Sequence, residues 1–240
     1  MISGHLLRWV MTKVDLASAF LIHRRAYRDN SLLLDFLTLG HGKIRLIGRG
    51  VRQAKANIQM FQHLRISYAG KGELKTLTHW EVDDAPRQIK GEPLILCMYV
   101  NELIARLIHE HDPHPQIFEL YQQFVTQMND LDQPHQYWLL RIFENNLLSE
   151  LGYGLDCVND LNGDVIQIDK NYNYQPQLGF SQQADGKISG NLLNLLLSEC
   201  LDKIPNEQQL KACRNLNRQR LNVLLGNKPL RSRELFFTKN

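Results

Sequence analysis

The 240-residue sequence has few cysteines and none of the cysteine pairs that a metal or redox site would need. Its four cysteines, Cys97, Cys157, Cys200 and Cys213, lie far apart and form no CxxC pair. A disulfide framework is therefore not expected, which favours a reducing compartment. A structural zinc site of the four-cysteine kind also lacks its signature.

Signatures of several enzyme classes are missing too. The chain has no GxxxxGK[ST] phosphate loop, no HExxH pair and no GxSxG nucleophile turn. ATP hydrolysis, zinc peptidase activity and α/β-hydrolase chemistry therefore have no support in the sequence, and no cofactor is predicted. The apolar N-terminal stretch is interrupted by Arg8, Lys13 and Asp15, so neither a signal core nor a membrane span is expected. The sequence predicts a soluble, cytoplasmic protein.

Charge is unevenly distributed along the chain, although the net charge is only +3. Residues 16–80 hold eleven lysines and arginines against three acidic residues, residues 91–160 hold two against eleven, and residues 200–240 hold nine against three. Such asymmetry favours a nucleic-acid surface joined to an acidic scaffold. The alternative is ordinary clustering of charge on solvated faces.

Short strands separated by turn residues are predicted between residues 17 and 80. They are Ala19–His23, Ser31–Leu37, Lys43–Ile47, Leu64–Tyr68 and Glu73–Leu77, with glycine-containing connections at residues 40–42 and 70–72. Five such strands, with a longer link between the third and the fourth, predict a small barrel of the OB type. An SH3-like barrel has a similar pattern.

The third strand is the clearest candidate for a binding surface. Because side chains alternate along a strand, Lys43, Arg45 and Arg49 share one face and Ile44 and Leu46 the other. Glycines at the end of the strand would let a polyanion approach the backbone. The basic residues of this barrel are candidate DNA contacts: Arg24, Arg25, Arg28, Lys43, Arg45, Arg49, Arg52, Lys55, Arg65, Lys71 and Lys75. Phosphate contacts of this kind give an affinity that falls steeply with salt and depends little on base sequence.

Stacking of bases on aromatic side chains is a second way in which OB-type sheets bind single strands. The candidates in the barrel are Phe20, Tyr27, Phe36, Phe61 and Tyr68. Phe20 and Phe36 are better explained as core residues. Backbone tracking is therefore expected to dominate over base readout.

From residue 93 the apolar pattern takes a helical period. Three helices are predicted over about residues 93–107, 117–128 and 134–151, and two more at Leu192–Lys203 and Glu207–Leu225. Residues 153–190 have no such period and are expected to be irregular. The predicted fold is an α+β multidomain chain, with an N-terminal extension and OB-fold barrel in residues 1–82 and an all-α helical domain in residues 83–240. The last helix carries a basic stripe of Lys211, Arg214 and Arg218.

A histidine-rich segment leaves other functions open. His109, His111 and His114, together with Glu110 and Asp112, offer imidazole and carboxylate groups of the kind that bind transition metals. The prolines of this segment more simply end one helix and begin another, and no metal site is predicted. A metal-dependent nuclease remains an alternative function, and an RNA-binding adapter is another.

Several segments, taken in order, resemble the RecO family of recombination mediator proteins. They are Arg28–Leu37 (RDNSLLLDFL), Gly42–Arg52, Gly70–Leu77, Tyr99–Leu103, Leu151–Gly154 and Gly226–Phe236. The resemblance implies an OB-fold domain followed by a helical domain. It also implies binding of single- and double-stranded DNA, annealing of complementary strands, association with RecR, and help in replacing single-stranded-DNA-binding protein with RecA. The implied protein is non-enzymatic, acts in DNA repair and recombination, and associates with the nucleoid.

Many members of that family carry a four-cysteine zinc module after the segment Leu151–Gly154. Here only Cys157 lies nearby, and the next cysteine is Cys200. The resemblance therefore implies a degenerate, cysteine-poor and zinc-free version of the module within residues 153–190.

Arg141 resembles a family arginine implicated in holding the acidic C-terminal tail of single-stranded-DNA-binding protein. A guanidinium fork suits capture of a carboxylate, and Leu140 and Leu148 could house an aromatic end residue. The alternative for Arg141 is an intrahelical ion pair with Glu144.

Overall fold

The structure, a computed structural model, describes residues 12–51, 58–85, 87–226 and 228–236. The chain folds into two compact units. The first is centred on the residues up to 88 and includes residues 97–118, and the second contains residues 89–96 and 119–233. In the described part of the chain, no helix is long and apolar enough to cross a membrane.

A closed barrel of five strands forms most of the first unit. The strands are β1 (Thr12–Tyr27), β2 (Ser31–Thr38), β3 (Gly42–Arg49), β4 (His63–Gly70) and β5 (Lys75–Val82). Their order around the barrel is β1-β2-β3-β5-β4, and every pair is antiparallel except β3 with β5. This arrangement confirms the predicted OB-type fold. Four of the five strands contain the predicted segment in full, while β5 begins two residues later than expected.

Strand β1 closes the barrel because it is long enough to pair with two neighbours. Its first part pairs with β4 and its second part with β2. A bulge interrupts each ladder, one at Leu16, whose φ is +51°, and one just before His23. Bulges bend a strand and increase its twist, which allows one strand to serve both halves of a barrel.

Alternation along β2 and β3 fills the barrel interior. Leu34, Phe36, Ile44 and Leu46 point inward, and none of them is more than 2% exposed. The residues between them lie on the outer face, where a binding surface has to be sought.

The helices follow the predicted pattern closely. They are α1 (Gly91–Leu107), α2 (Pro115–Gln127), α3 (Gln133–Leu148), α4 (Gly190–Ser198) and α5 (Glu207–Leu225). A short π-helical turn, Ser149–Tyr153, follows α3, and a 3-10 turn, Arg231–Phe236, follows α5. Helix α4 is shorter than expected because Glu199 adopts a left-handed φ of 52° and ends it.

The expectation of an irregular segment over residues 153–190 is only partly right. Its second half forms a three-stranded sheet of β6 (Asn171–Gln175), β7 (Gly179–Gln182) and β8 (Ile188–Ser189), with β6 in the centre. Tyr172 is buried, and Tyr174 packs on Phe180 with 5.6 Å between ring centroids. The aromatic residues of β6 thus alternate with asparagine, and this polar composition is why no strand was predicted here.

Carboxylates hold the turns that precede this sheet. The side chain of Asp156 accepts two backbone N–H groups of the following turn, and the side chain of Asp160 does the same. Cys157 lies in an apolar cluster between them, and burial raises the pKa of its thiol to about 11. Within the described ranges, no group of three or more His, Cys, Asp or Glu side chains could hold a metal ion. The zinc-free character of the segment stays a prediction.

Candidate nucleic-acid interface

The outer face of β1, β2 and β3 carries the basic residues predicted on β3. Across the three strands, the rows are Tyr27–Ser31–Arg49, then Arg25–Leu33–Ile47, then His23–Asp35–Arg45. Because Ile44 and Leu46 face the core, Arg45 and Arg49 belong to the opposite side of the strand, as predicted.

Four arginines near one end of these strands form what we call the basic corner. Arg25 and Arg49 lie on the outer face, Arg28 in the turn after β1, and Arg24 on the other side of β1, in register with Leu34. All four are exposed. None of them has a carboxylate partner among the residues that the structure describes. A guanidinium that no carboxylate neutralises can donate to phosphate oxygens in a forked geometry.

Local contacts hold the basic corner in shape. Nη1 of Arg24 donates to the carbonyl oxygen of Ile58 at 3.3 Å. The guanidinium carbon of Arg28 lies 5.2 Å from the centroid of the Tyr27 ring, a cation–π contact. Two arginines of the corner are thus positioned by the barrel rather than free in solvent.

The backbone next to the corner is open to close approach. The N–H of Gly50 donates to the carbonyl of Asn30 at 3.0 Å, which joins the end of β3 to the turn between β1 and β2. Gly50 has a φ of +69°, and apart from its chain neighbours no atom of the described residues lies within 4 Å of the position that a Cβ would take. The space that a side chain would fill at Gly50 is therefore open among the described residues.

Lys43 is not exposed, contrary to the expectation for this face. It is only 8% exposed, and its Nζ donates to the carbonyl of Ala105 at 2.6 Å. The N–H of His111 donates to the carbonyl of Lys43, and a Cβ on Gly42 would lie 2.4 Å from the carbonyl oxygen of Asp112. Burial lowers the pKa of Lys43. Residues 97–118 therefore cover this end of the face, and the amine takes part in packing.

Arg45 is tied into an ion-pair network. Its Nε lies 2.6 Å from Oδ1 of Asp35 and its Nη1 lies 3.2 Å from Oε1 of Glu110, while Nδ1 of His23 lies 3.4 Å from Oδ2 of Asp35. Burial alone would raise the pKa of Asp35, but hydrogen bonds from His23 and Arg45 bring it below its ordinary value. The hydrogen bond to Asp35 raises the pKa of Arg45. The charge of Arg45 is thus largely compensated within the protein.

The remaining barrel cations lie elsewhere. Arg65 is paired with Asp83, with 2.8 Å between Nε and Oδ2. Lys71 is exposed and Lys75 half-buried in and after the connection between β4 and β5. Arg52 and Lys55 lie outside the described residues. Of the eleven candidates, the structure therefore groups four at the basic corner.

The barrel aromatics separate clearly into core and surface. Four of the five candidates are at most 6% exposed: Phe20, Phe36, Phe61 and Tyr68. Tyr27 is partly exposed and lies in the same row as Arg49. The core assignment of Phe20 and Phe36 is confirmed.

Arg141 forms the intrahelical pair that was the alternative to tail binding. Its Nη1 lies 2.9 Å from Oε2 of Glu144, and its side chain is 10% exposed while that of Glu144 is 1% exposed. Leu140 and Leu148 are buried as well. These side chains are therefore packed or paired inside the protein. Their role in binding a partner tail stays a prediction.

Two residues that sequence reasoning missed complete a buried polar network with this pair. Nδ2 of Asn217 donates to Oε2 of Glu144 at 3.0 Å, and Nη2 of Arg220 donates to the carbonyl of Tyr153 at 2.5 Å. Burial lowers the pKa of Arg220. A signal existed, because Cys213, Asn217 and Arg220 share the face of α5 opposite the basic stripe.

The histidine-rich segment does not gather its side chains around one point. His109 and His111 are exposed, and Nε2 of His114 lies 3.2 Å from Oδ2 of Asp112. Glu110 is the partner of Arg45. The carboxylates of this segment are therefore used in pairs within the protein.

An OB-type barrel with a basic corner, followed in the same chain by a helical region, defines the class of protein. Family models place the chain within that class. The model described as recombination protein O N terminal matches residues 11–85, and the one described as recombination protein O C terminal matches residues 91–234. The chain belongs to the RecO family.

Named relatives agree with this assignment. The DNA repair protein RecO of Pseudoalteromonas atlantica is 38% identical over 229 residues, which cover 91% of this chain and 92% of the relative. The DNA repair protein RecO of a Coxiella burnetii strain is 38% identical over 238 residues, covering 95% of this chain and all of the relative. That of Aliivibrio fischeri is 34% identical over 233 residues, covering 93% and 96%.

Proposed function

We propose that the chain is a recombination mediator that binds DNA and acts in DNA repair. It binds single- and double-stranded DNA, anneals complementary strands, and with RecR helps to load RecA onto DNA coated by single-stranded-DNA-binding protein. Membership of the RecO family and the names of its relatives support the role in repair. The observation that carries the proposal is the basic corner, with four exposed arginines and no carboxylate partner among the described residues.

Annealing needs a surface of this kind because two DNA strands repel each other through their phosphates. Guanidinium groups that bind phosphate release counterions and lower that repulsion without reading the bases. Arg45 and Arg65 are less suited, since each is already paired with a carboxylate. In this proposal the basic corner makes the first contacts, and Lys71 and Lys75 extend them on the β4–β5 side.

The helical domain makes the partner contacts in this proposal. Arg141 would receive the acidic tail of single-stranded-DNA-binding protein, with Leu140 and Leu148 beside it. For this, Arg141 has to exchange Glu144 for the carboxylate of the tail, because the two are paired. The contacts with RecR and RecA are not tied to particular residues.

We further propose that the protein works without chemical turnover on DNA. The strongest candidates for a metal-binding nuclease site were the histidines and acids at residues 109–114. Glu110 and Asp112 have partners of their own in Arg45 and His114. This use of the carboxylates supports a packing role for the segment.

The test of DNA binding reverses two charges of the basic corner, Arg25→Glu together with Arg49→Glu. Affinity for DNA of any sequence should fall. The dependence of log affinity on log salt concentration should become shallower by about 1.4 for single strands, because each arginine that no longer binds a phosphate removes ~0.7 from the slope. The matched control is Lys170→Glu with Lys187→Glu, which changes the net charge equally at two exposed positions. Fluorescence anisotropy across a salt series measures both variants.

Two results would contradict the proposal. If the corner variant is folded and binds as tightly as the control variant, the basic corner is not the binding site. If the unmodified protein, incubated with labelled DNA and Mg²⁺ or Mn²⁺, produces fragments on a denaturing gel, the non-enzymatic assignment is wrong. Competition between RNA and DNA of equal length in the same anisotropy assay separates a DNA mediator from an RNA adapter.

A further inference from the structure

Tyr27 differs from the other barrel aromatics in its surroundings. Phe20, Phe36, Phe61 and Tyr68 are buried, and the partly buried Trp80 packs against the barrel core. Tyr27 is partly exposed at the last position of β1. Its ring packs with a cation instead of with the core, because the guanidinium of Arg28 lies over it.

Two further cations of the basic corner, Arg25 and Arg49, lie on the same face as this ring. Ser31 pairs with Tyr27 on one strand and with Arg49 on the next, so Tyr27 and Arg49 are two strands apart in one row. Arg25 lies two residues before Tyr27 on the same face of β1. Guanidinium groups therefore lie near the ring both along β1 and across the sheet.

We propose that Tyr27 is a base-stacking residue that makes the basic corner prefer single-stranded DNA to duplex. This inference rests on the proposed DNA binding and names a residue that determines its specificity. An unpaired base stacks on the Tyr27 ring or on the planar guanidinium of Arg28, while Arg25 and Arg49 hold the neighbouring phosphates. In a duplex the bases are already stacked on each other, so only the phosphate contacts remain.

The two kinds of interaction respond differently to salt. Removal of an arginine that binds phosphate makes the salt dependence shallower, because fewer counterions are released. Tyr27 is uncharged, so its removal should weaken binding equally at every salt concentration. A parallel shift of the salt plot is thus the signature of missing base stacking, and a change of slope is the signature of missing phosphate binding.

The experiment compares Tyr27→Ala and Tyr27→Phe on three probes of equal length: oligothymidine, the same oligomer with abasic sites, and a duplex. Tyr27→Ala should bind oligothymidine roughly tenfold more weakly, in the range found for removal of one aromatic–base stack. Duplex binding should change by less than about twofold, since the phosphate contacts remain. Tyr27→Phe keeps the ring and should behave like the unmodified protein.

The abasic oligomer removes the base instead of the tyrosine, so it tests stacking without any change to the folded protein. The unmodified protein should bind the abasic oligomer about as weakly as Tyr27→Ala binds oligothymidine. Tyr27→Ala should bind the abasic oligomer with the same affinity as the unmodified protein does. If Tyr27→Ala lowers the thermal midpoint, Tyr27→Leu, which keeps most of the buried area, takes its place. Equal weakening on oligothymidine, abasic DNA and duplex would overturn stacking, because Tyr27 would then act only by positioning Arg28.

Failure of this inference can be told apart from failure of the proposed function. If Arg25→Glu with Arg49→Glu weakens binding while Tyr27→Ala leaves the preference for single strands unchanged, the corner binds DNA without stacking and the inference is wrong. If neither variant affects binding, the basic corner is not the DNA site and both proposals fail.

Discussion

Arg141, Glu144, Asn217 and Arg220 form a buried polar network between α3 and α5, with one carboxylate for two guanidinium groups. Asn217 joins Glu144 to Arg220, since its Nδ2 donates to Glu144 and its Oδ1 accepts from Arg220. Each buried charge depends on its partner, because a charge left alone in the interior is strongly unfavourable.

We therefore predict that Arg141→Ala lowers the free energy of unfolding by about 3–5 kcal/mol, the usual effect of removing one partner of a buried pair. Glu144, 1% exposed, would lose the guanidinium that lies 2.9 Å from its Oε2. Arg141→Met combined with Glu144→Met should restore part of the stability, since the ion pair is removed as a unit and Arg220 keeps its hydrogen bonds to Asn217 and to the carbonyl of Tyr153. Denaturant titration measures both. An Arg141→Ala variant as stable as the unmodified protein would show that the ion pair does not contribute to the free energy of unfolding.

The same two variants also test whether Arg141 binds the tail of a partner protein. The double variant lacks the guanidinium but should remain folded, so it separates recognition from stability. A peptide with an acidic, Pro-Phe end should bind the unmodified protein and not the double variant if Arg141 holds the tail. Undiminished binding would remove Arg141 from the partner site.

For single residues, the sequence predicted which face of a strand a side chain lies on better than it predicted which groups that side chain contacts. Alternation on β3 correctly separated Ile44 and Leu46 from Arg45 and Arg49. The burial of Lys43 could not be predicted in this way, because its covering carbonyl on Ala105 is 62 residues away in the chain. Strand alternation defines a face, and only tertiary packing decides whether that face meets water or protein.

Among the elements, the helices were predictable because their ends carry local signals. Helix α5 has the predicted bounds, Glu207–Leu225. Its cap, Asn206, forms a capping box in which its side chain accepts the N–H of Gln209 and the side chain of Gln209 accepts the N–H of Asn206. Both bonds satisfy donors that would otherwise lack a partner at a helix start.

We predict that Asn206→Ala lowers stability by about 1 kcal/mol, the usual effect of removing a helix cap. Thermal unfolding followed by circular dichroism measures this change. Asn194→Ala is the matched control, because Asn194 is an exposed residue inside α4 that caps nothing, and alanine there should be neutral or slightly stabilising. Equal midpoints for the two variants would mean that the capping box contributes nothing measurable.

The small sheet at β6, β7 and β8 was missed for an identifiable reason. Strand β6 has the sequence Asn-Tyr-Asn-Tyr-Gln, in which only the two tyrosines indicate a strand and the two asparagines favour turns. The sheet depends on apolar contacts with residues distant in the chain, among them Trp138 and Cys213. No local pattern could have supplied those contacts.

For the whole molecule, the sequence placed the domain boundary where the apolar period changes, with the barrel domain ending at residue 82. Packing groups the residues differently, since residues 97–118 belong to the barrel unit. Three of the contacts that hold them there are Lys43 with Ala105, Arg45 with Glu110, and Phe20 with Phe118 at 5.3 Å between ring centroids. A change of period marks a change of secondary structure, and it need not mark a boundary of packing.

This difference gives a prediction about fragments of the chain. A fragment of residues 1–128 keeps all three contacts, whereas a fragment of residues 1–88 exposes Phe20 and leaves Lys43 without the carbonyl of Ala105. Removing the burial around one large aromatic residue costs about 3–5 kcal/mol, which is comparable to the whole stability of a small domain. The longer fragment should therefore unfold cooperatively on heating and protect its barrel amides from hydrogen exchange, while the shorter one should melt at a clearly lower temperature. Equal melting temperatures would instead place the boundary at residue 82 and make residues 97–118 dispensable to the barrel.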